Sequence, residues 1–305
     1  MKTRNARRGR KKVSALSRVL AAAGGVLMVA GVVMLINYIN QANQLKAQQE
    51  SLRQLYAAAT QTPQPEATHQ QELAALAENP PATEVPPPTL PPDRLAASDR
   101  FLPLMRRNND LVGWLKYAMF PEIDFPVVQR DNDYYMFRGF TGESNLAGTV
   151  FLDAENSITP RDKNLVLHGH NMKNGTMFGR LQRMMEPAIF QTDPFVVFDT
   201  LYQDAVYVPY AVTLFSVNPG DSAYFNIVST RFDSPDAMGD YVNWLRARSS
   251  LVFPTQVSEE DRLLTLVTCH GLNENERLAV ALRAVRPGED MKALAAALKE
   301  GIRRP

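Results

Sequence analysis

From Gly113 onward the sequence is cut into short apolar runs, each bounded by Gly, Pro, Asn or Asp. The runs cover residues 113–117, 125–129, 149–152, 164–168, 195–198, 206–217, 263–268 and 278–285. Most are too short for a stable helix and rich in β-branched or aromatic residues, so they read as strands. Many short strands in succession predict a mainly β domain, either an antiparallel barrel or a sandwich. Two helical interruptions are expected. One covers residues 177–185. The other opens at Ser234-Pro235, a capping residue followed by proline at the first helical position, and carries Met238, Tyr241, Val242 and Leu245 at helical spacing. Ser98 is a candidate cap for a further helix bearing Phe101, Leu104 and Met105, and Met291, Leu294 and Leu298 mark an amphipathic tail. No internal repeat is found.

Upstream, the texture excludes a core. Residues 1–13 carry Lys2, Arg4, Arg7, Arg8, Arg10, Lys11 and Lys12 with no acidic residue. Residues 19–36 then hold no charge at all. As helix, that run spans roughly 27 Å at ~1.5 Å per residue, and extension through Asn37-Tyr38-Ile39 approaches the ~30 Å hydrocarbon core. A signal-peptide core is shorter and ends at a small-residue cleavage site, whereas this one ends in Asn-Tyr-Ile-Asn-Gln. The expectation is an uncleaved single-pass membrane anchor over residues 16–39, with residues 1–15 as a cytoplasmic basic tail and the rest outside. Residues 40–97 read as a helical stalk and a proline-rich spacer, with Pro80-Pro81, Pro86-Pro87-Pro88 and Pro91-Pro92 keeping the chain extended. The folded domain is expected over 98–288 and a helical tail over 289–305. Of 33 basic residues eight lie at or before Arg18, leaving 25 against 32 acidic ones in the exported part. That balance argues against nucleic acid as a partner.

The chain has one cysteine, Cys269, at the end of the run 263–268. A single thiol forms no intramolecular disulfide and makes a poor structural metal site. Taken alone, it is best read as a small buried hydrophobe. Its neighbours change that reading. Arg277 opens the next strand after a polar loop, so antiparallel pairing puts thiol and guanidinium at the same end of the sheet. A thiol, with an ordinary pKa of ~8.5, needs a proton acceptor, and imidazole is the natural one. Arginine can instead hold a peptide carbonyl or a developing oxyanion. Of four histidines, His69 lies in the spacer and His270 follows Cys269 directly, which on a strand turns it to the opposite face. His168 ends a strand and is expected to be structural; His170, past Gly169 in the following turn, is the candidate partner. A metal site built on His168 and His170 lacks further ligands.

The segments Thr265-Leu266-Val267-Thr268-Cys269 and Leu167-His168-Gly169-His170-Asn171-Met172 resemble the TLxTC and GHN motifs of sortases. The stretches 124–135, 148–153, 176–181 and the helix near 235–247 resemble the class B form, and the likeness extends over residues 98–287. The resemblance implies a closed eight-stranded β-barrel with added helices and a cysteine transpeptidase without cofactor. Cys269 would attack the peptide bond after Thr in the C-terminal sorting motif of a surface protein or pilin, forming a thioacyl enzyme. An amine of a peptidoglycan precursor or a pilin lysine would resolve it. His170 matches the family's catalytic histidine and Arg277 its arginine. Asn132, Met136 and Thr268 fall at substrate-groove positions. Some class B members carry an acidic residue two positions after the cysteine; Gly271 stands there and is given no role.

Three other readings compete. In L,D-transpeptidases the cysteine follows a Ser-x-Gly run rather than Leu-Val-Thr, and papain-like peptidases place Cys before His in the chain. A membrane-tethered scaffold with an incidental thiol would leave Cys269, His170 and Arg277 dispersed.

Overall fold

A computed structural model describes residues 15–61, 96–271 and 273–305. The basic residues 1–14 and the proline-rich stretch 62–95, with His69, lie outside the described residues. Eight strands close into a barrel in the order β1-β2-β3-β4-β7-β8-β6-β5. They are β1 (Leu111–Tyr117), β2 (Asp124–Val128), β3 (Phe151–Leu152), β4 (Asn164–His168), β5 (Val196–Thr200), β6 (Val206–Ser216), β7 (Leu263–Cys269) and β8 (Glu276–Ala284). Closure decides for the barrel over the sandwich and leaves no free sheet edge. The expectation of purely antiparallel pairing is corrected: β2 pairs with β3, and β4 with β7, in parallel. Parallel neighbours need a long crossover, and the chain between β4 and β7 supplies one, carrying β5, β6 and a helix.

The β4–β7 pairing positions the site, and buried polar groups pin its register. Thr265 of β7 donates to Asn164 Oδ1 of β4 at 3.1 Å, and Asn164 Nδ2 donates to the Tyr241 hydroxyl at 3.1 Å. Tyr241 lies on α2 (Pro235–Ala247), which packs Met238, Tyr241, Val242 and Leu245 onto the outer face of the barrel. A one-residue slip would leave these buried groups unpaired and turn every side chain of the strand to the wrong face. The start of α2 is as expected: Ser234 Oγ accepts from the Ala237 N–H at 3.1 Å, with Pro235 following.

Other helical expectations are met in part. Residues 177–185 do not form one α-helix, because Met177 takes a left-handed φ of 52°. Two 3₁₀ segments follow instead, Leu181–Met185 and Pro187–Gln191. Ser98 makes no side-chain cap, and its segment splits into the turns Asp99–Phe101 and Leu102–Met105, which bury Phe101 and Leu104. The tail helix α3 (Met291–Gly301) buries Leu298, and Arg303 bridges to Val252.

The first helix, α1 (Ala15–Gln61), contributes to two compact units, divided between Glu50 and Ser51. In the first unit the apolar side chains Val26 to Val29 and Val32 to Ile36 are exposed. Among the described residues no helix is long and apolar enough to cross a membrane; the uncharged sequence itself begins at Val19, upstream of the described side chains. In the second unit, Leu52 and Tyr56 are buried. Tyr56 stacks on Trp114 at 4.4 Å and donates its hydroxyl proton to Asp199 at 3.0 Å, while Arg53 Nε donates to the Asp124 carbonyl at 2.8 Å. The end of the expected stalk therefore packs against the barrel wall. Such an aromatic pair is worth about 0.5–1.5 kcal/mol beyond its buried area.

Candidate active site

Cys269 is the last residue of β7 and is exposed. Directly across the β7–β8 ladder stands Arg277. β8 begins at Glu276, two residues earlier than its apolar pattern suggests, so Arg277 belongs to the ladder. Arg277 Nη1 donates to the carbonyls of Glu274 at 2.6 Å and Glu276 at 3.1 Å. These bonds fix the guanidinium at the mouth of the loop.

His170 follows the C-terminal end of β4. Gly169 between them has no alternative, since a Cβ there would lie 2.7 Å from the Phe178 ring. The His170 carbonyl accepts from the Phe178 N–H at 3.0 Å, and its ring lies 5.4 Å from that of Phe137. His170 Nε2 is 2.6 Å from the Met136 carbonyl. A carbonyl only accepts, so Nε2 carries a proton and Nδ1 is the ring nitrogen left to exchange one.

One cavity of about 320 Å³ is lined by Cys269, His170, Arg277, Thr268, Asn132 and Met136, together with His168 and Asp153. All six residues singled out from the sequence thus converge. His270 is not on its lining; its Nδ1 pairs with Glu276 Oε2 at 2.6 Å, in keeping with the opposite face of the strand. Thr268 is buried, and its hydroxyl finds no hydrogen-bond partner among the described residues. Asn132 accepts from the Ala154 N–H at 2.8 Å and donates to Asp153 Oδ2 at 3.2 Å. No group of three or more His, Cys, Asp or Glu able to hold a metal ion occurs among the described residues.

The family model of the sortase domain matches residues 121–285, more than half of the chain. The chain belongs to the sortase family, class B. Sortase B of Listeria monocytogenes is 32% identical over 180 residues, covering 59% of this chain and 70% of the relative. Sortase B of Staphylococcus aureus is 24% identical over 190 residues, covering 61% and 75%. Among solved structures, Bacillus anthracis sortase B in complex with AAEK2 superposes with a TM-score of 0.56 at 28% identity, over 66% of this chain and 89% of the other. Clostridium perfringens sortase B gives 0.55 at 28%, over 60% and 98%. As a class B sortase the chain is a cysteine transpeptidase.

Two residues of this sortase site bound the stretch 148–153 that resembles class B, but the sequence alone gives neither a role. Asp153 is buried and accepts from His168 Nε2 at 2.8 Å. Burial pushes its carboxyl up, but the hydrogen bonds from His168, the Glu155 N–H and Asn132 outweigh burial and hold it below the usual range. In the sequence it is only the acidic end of that stretch, closing the run 149–152. Gly148, at φ +62°, is the other: a Cβ there would lie 2.5 Å from the Met136 carbonyl oxygen that holds His170.

Proposed function

We propose that the chain is a membrane-anchored transpeptidase that cuts the C-terminal sorting motif of a surface protein or pilin after Thr and passes the new acyl end to an amine. The observation that carries this reading is the convergence of Cys269, His170 and Arg277 on one cavity. The Cys269 thiolate attacks the scissile carbonyl carbon, and Arg277, with guanidinium N–H groups beyond those on Glu274 and Glu276, faces the charge that gathers on oxygen. His170 holds Nε2–H on Met136, so Nδ1 is the atom that exchanges protons with the reaction. His170 Nδ1 takes the thiol proton as the Cys269 thiolate forms, and the ring then gives that proton to the departing amine, leaving a thioester on Cys269. The acceptor amine then attacks that thioester, His170 takes its proton, and the thiolate leaves as the new amide forms. The acceptor is an amine of a peptidoglycan precursor or a pilin lysine. The complexes of Bacillus anthracis sortase B with AAEK1 and AAEK2 show ligands bound by relatives of this chain, which supports a binding role for the groove.

Anchoring rests on the basic N-terminal block and the uncharged run 19–36, whose side chains from Val26 to Val29 and Val32 to Ile36 find no cover in the first unit. Apolar side chains exposed along a helix in this way are accommodated by lipid. The basic block sets the N-terminus in the cytoplasm and the barrel outside.

The test incubates the detergent-solubilised full chain with a library of Thr-containing sorting-type peptides and measures intact mass. A thioacyl adduct is expected on the parent and none on Cys269→Ala. An adduct that survives in the variant, or a parent that forms none, overturns the assignment.

A further inference from the structure

We propose that His168 is a specificity-determining residue of the groove, presenting ring nitrogen Nδ1 as an acceptor to an amide N–H of the bound sorting peptide. This rests on the transpeptidase reading above and names what one wall of that site selects. The sequence suggests a structural histidine, and half of the ring is indeed committed: Nε2 lies 2.8 Å from Asp153 Oδ2. Asp153 is only 2% exposed and also takes hydrogen bonds from Asn132 and the Glu155 N–H. An ionised carboxylate only accepts, so Nε2 carries a proton, and in the uncharged form of the ring the lone pair lies on Nδ1.

That atom has no partner among the described residues, yet the ring is not free to turn away. It stacks on Phe151 at 5.2 Å with 28° between planes, and its side chain is 23% exposed on the cavity wall. Parallel pairing sets His168 opposite Val267, two residues before the nucleophile. A purely structural histidine has no need to line the groove with an unused acceptor.

An acceptor on the groove wall meets an N–H donor of the ligand, so the ligand class is an uncharged amide of the peptide, backbone or carboxamide side chain. A carboxylate in its place would meet the lone pair of Nδ1 and the charge of Asp153 behind it.

The experiment uses the detergent-solubilised full chain and the peptide that acylates it best from the library above. Analogues carry a single N-methyl group at each backbone amide in turn, or a carboxylate in place of each side-chain carboxamide. His168→Gln keeps an N–H toward Asp153 but loses the Nδ1 acceptor; His168→Asn sets a carboxamide near the Nδ1 position. Expected for His168→Gln is a KM raised about tenfold, the scale of one hydrogen bond, with kcat and the rate of Cys269 alkylation by iodoacetamide unchanged. His168→Asn should recover part of that loss. One analogue should be as poor for the parent as the normal peptide is for His168→Gln, with no further loss when the two are combined. Parent-like KM in the Gln variant, or an equal loss on every analogue with slowed alkylation, overturns the assignment of His168 alone. If the Gln variant does not fold, the parent's analogue series still decides: no single amide whose modification raises KM overturns the proposal. A parent that forms no adduct overturns the transpeptidase reading, and this one with it.

Discussion

Replacing Gly148 by Ala should disable this enzyme from outside its reacting groups. Gly148 sits at φ +62°, and a Cβ there would lie 2.5 Å from the Met136 carbonyl oxygen and 2.6 Å from that of Tyr135. Neither oxygen can give way cheaply. The Tyr135 carbonyl accepts from the Thr149 N–H at 3.0 Å, and the Met136 carbonyl holds His170 Nε2 at 2.6 Å. The left-handed conformation alone costs a residue with Cβ about 1–2 kcal/mol, and the forced shift of the 135–136 backbone adds about 1–3 kcal/mol. Moving the Met136 carbonyl turns the imidazole away from the thiol, and a misplacement of ~1 Å can cost ~100-fold in rate. Urea denaturation of the full chain should show a lower midpoint, and kcat/KM for the best library peptide should fall by about 10- to 100-fold. The matched control is Gly142→Ala. It shares a positive φ, +88°, but its Cβ would meet only the Tyr134 hydroxyl, at 3.2 Å. That variant should lose a comparable conformational term while keeping its kcat/KM. Parent-like stability and activity in Gly148→Ala, or the same activity loss in both variants, would refute the reasoning.

Other perturbations have equally definite signs. Gly239 lies inside α2, and a Cβ added there would have nothing within 4 Å, so Gly239→Ala should stabilise the domain by about 0.5–1 kcal/mol, read as a raised thermal midpoint. Acid should weaken the fold through Asp153 and Asp261. In both, burial pushes the carboxyl up, but hydrogen bonds led by His168 and by Arg286 respectively outweigh it and leave it below the usual range. Carboxyls lowered in this way contribute stability that is fully present above the unfolded pKa of ~3.9 and is lost as pH falls through the lower folded value. Urea midpoints should therefore drop as pH falls from about 5 to about 2, and Asp261→Asn should shrink that drop; equal drops in parent and variant would show that other carboxyls set it.

Much of this site is legible because its parts are local in sequence. A lone thiol ending an apolar run, an arginine opening the next and a histidine in a turn are each marked by residue type and strand position. Helix α2 is legible for the same reason, with its cap, its proline and its buried stripe within one span. What escapes depends on contacts between distant segments. Asp153 acquires its meaning from His168 and Asn132, neither of which its own neighbourhood announces. The burial of Tyr56 depends on Trp114 lying ready to stack with it, though the surrounding Gln- and Ala-rich sequence reads as a solvated stalk. The parallel pairs stay hidden because strand texture tells which segments join a sheet but not the direction in which they enter it.

That direction explains why the reacting groups meet at all. His170 and Cys269 are about a hundred residues apart, and in an antiparallel β4–β7 pair the segments after the two strands would emerge at opposite rims of the barrel. Because the pair is parallel, both C-terminal ends reach the same rim. β8 runs back antiparallel to β7, so its first residues, Glu276 and Arg277, start from that rim too. Cys269, His170 and Arg277, the proposed nucleophile, proton carrier and charge stabiliser, therefore share one edge as a consequence of strand direction, and the Asn164–Thr265–Tyr241 network that fixes the β4–β7 register also fixes their spacing. The chemistry depends on bonds lower in the same two strands. A substitution in that buried network, such as Asn164→Ala, acts on the site through the frame and should disturb stability and catalysis together, whereas His168→Gln, which keeps an N–H toward Asp153, should act chiefly on what the groove accepts.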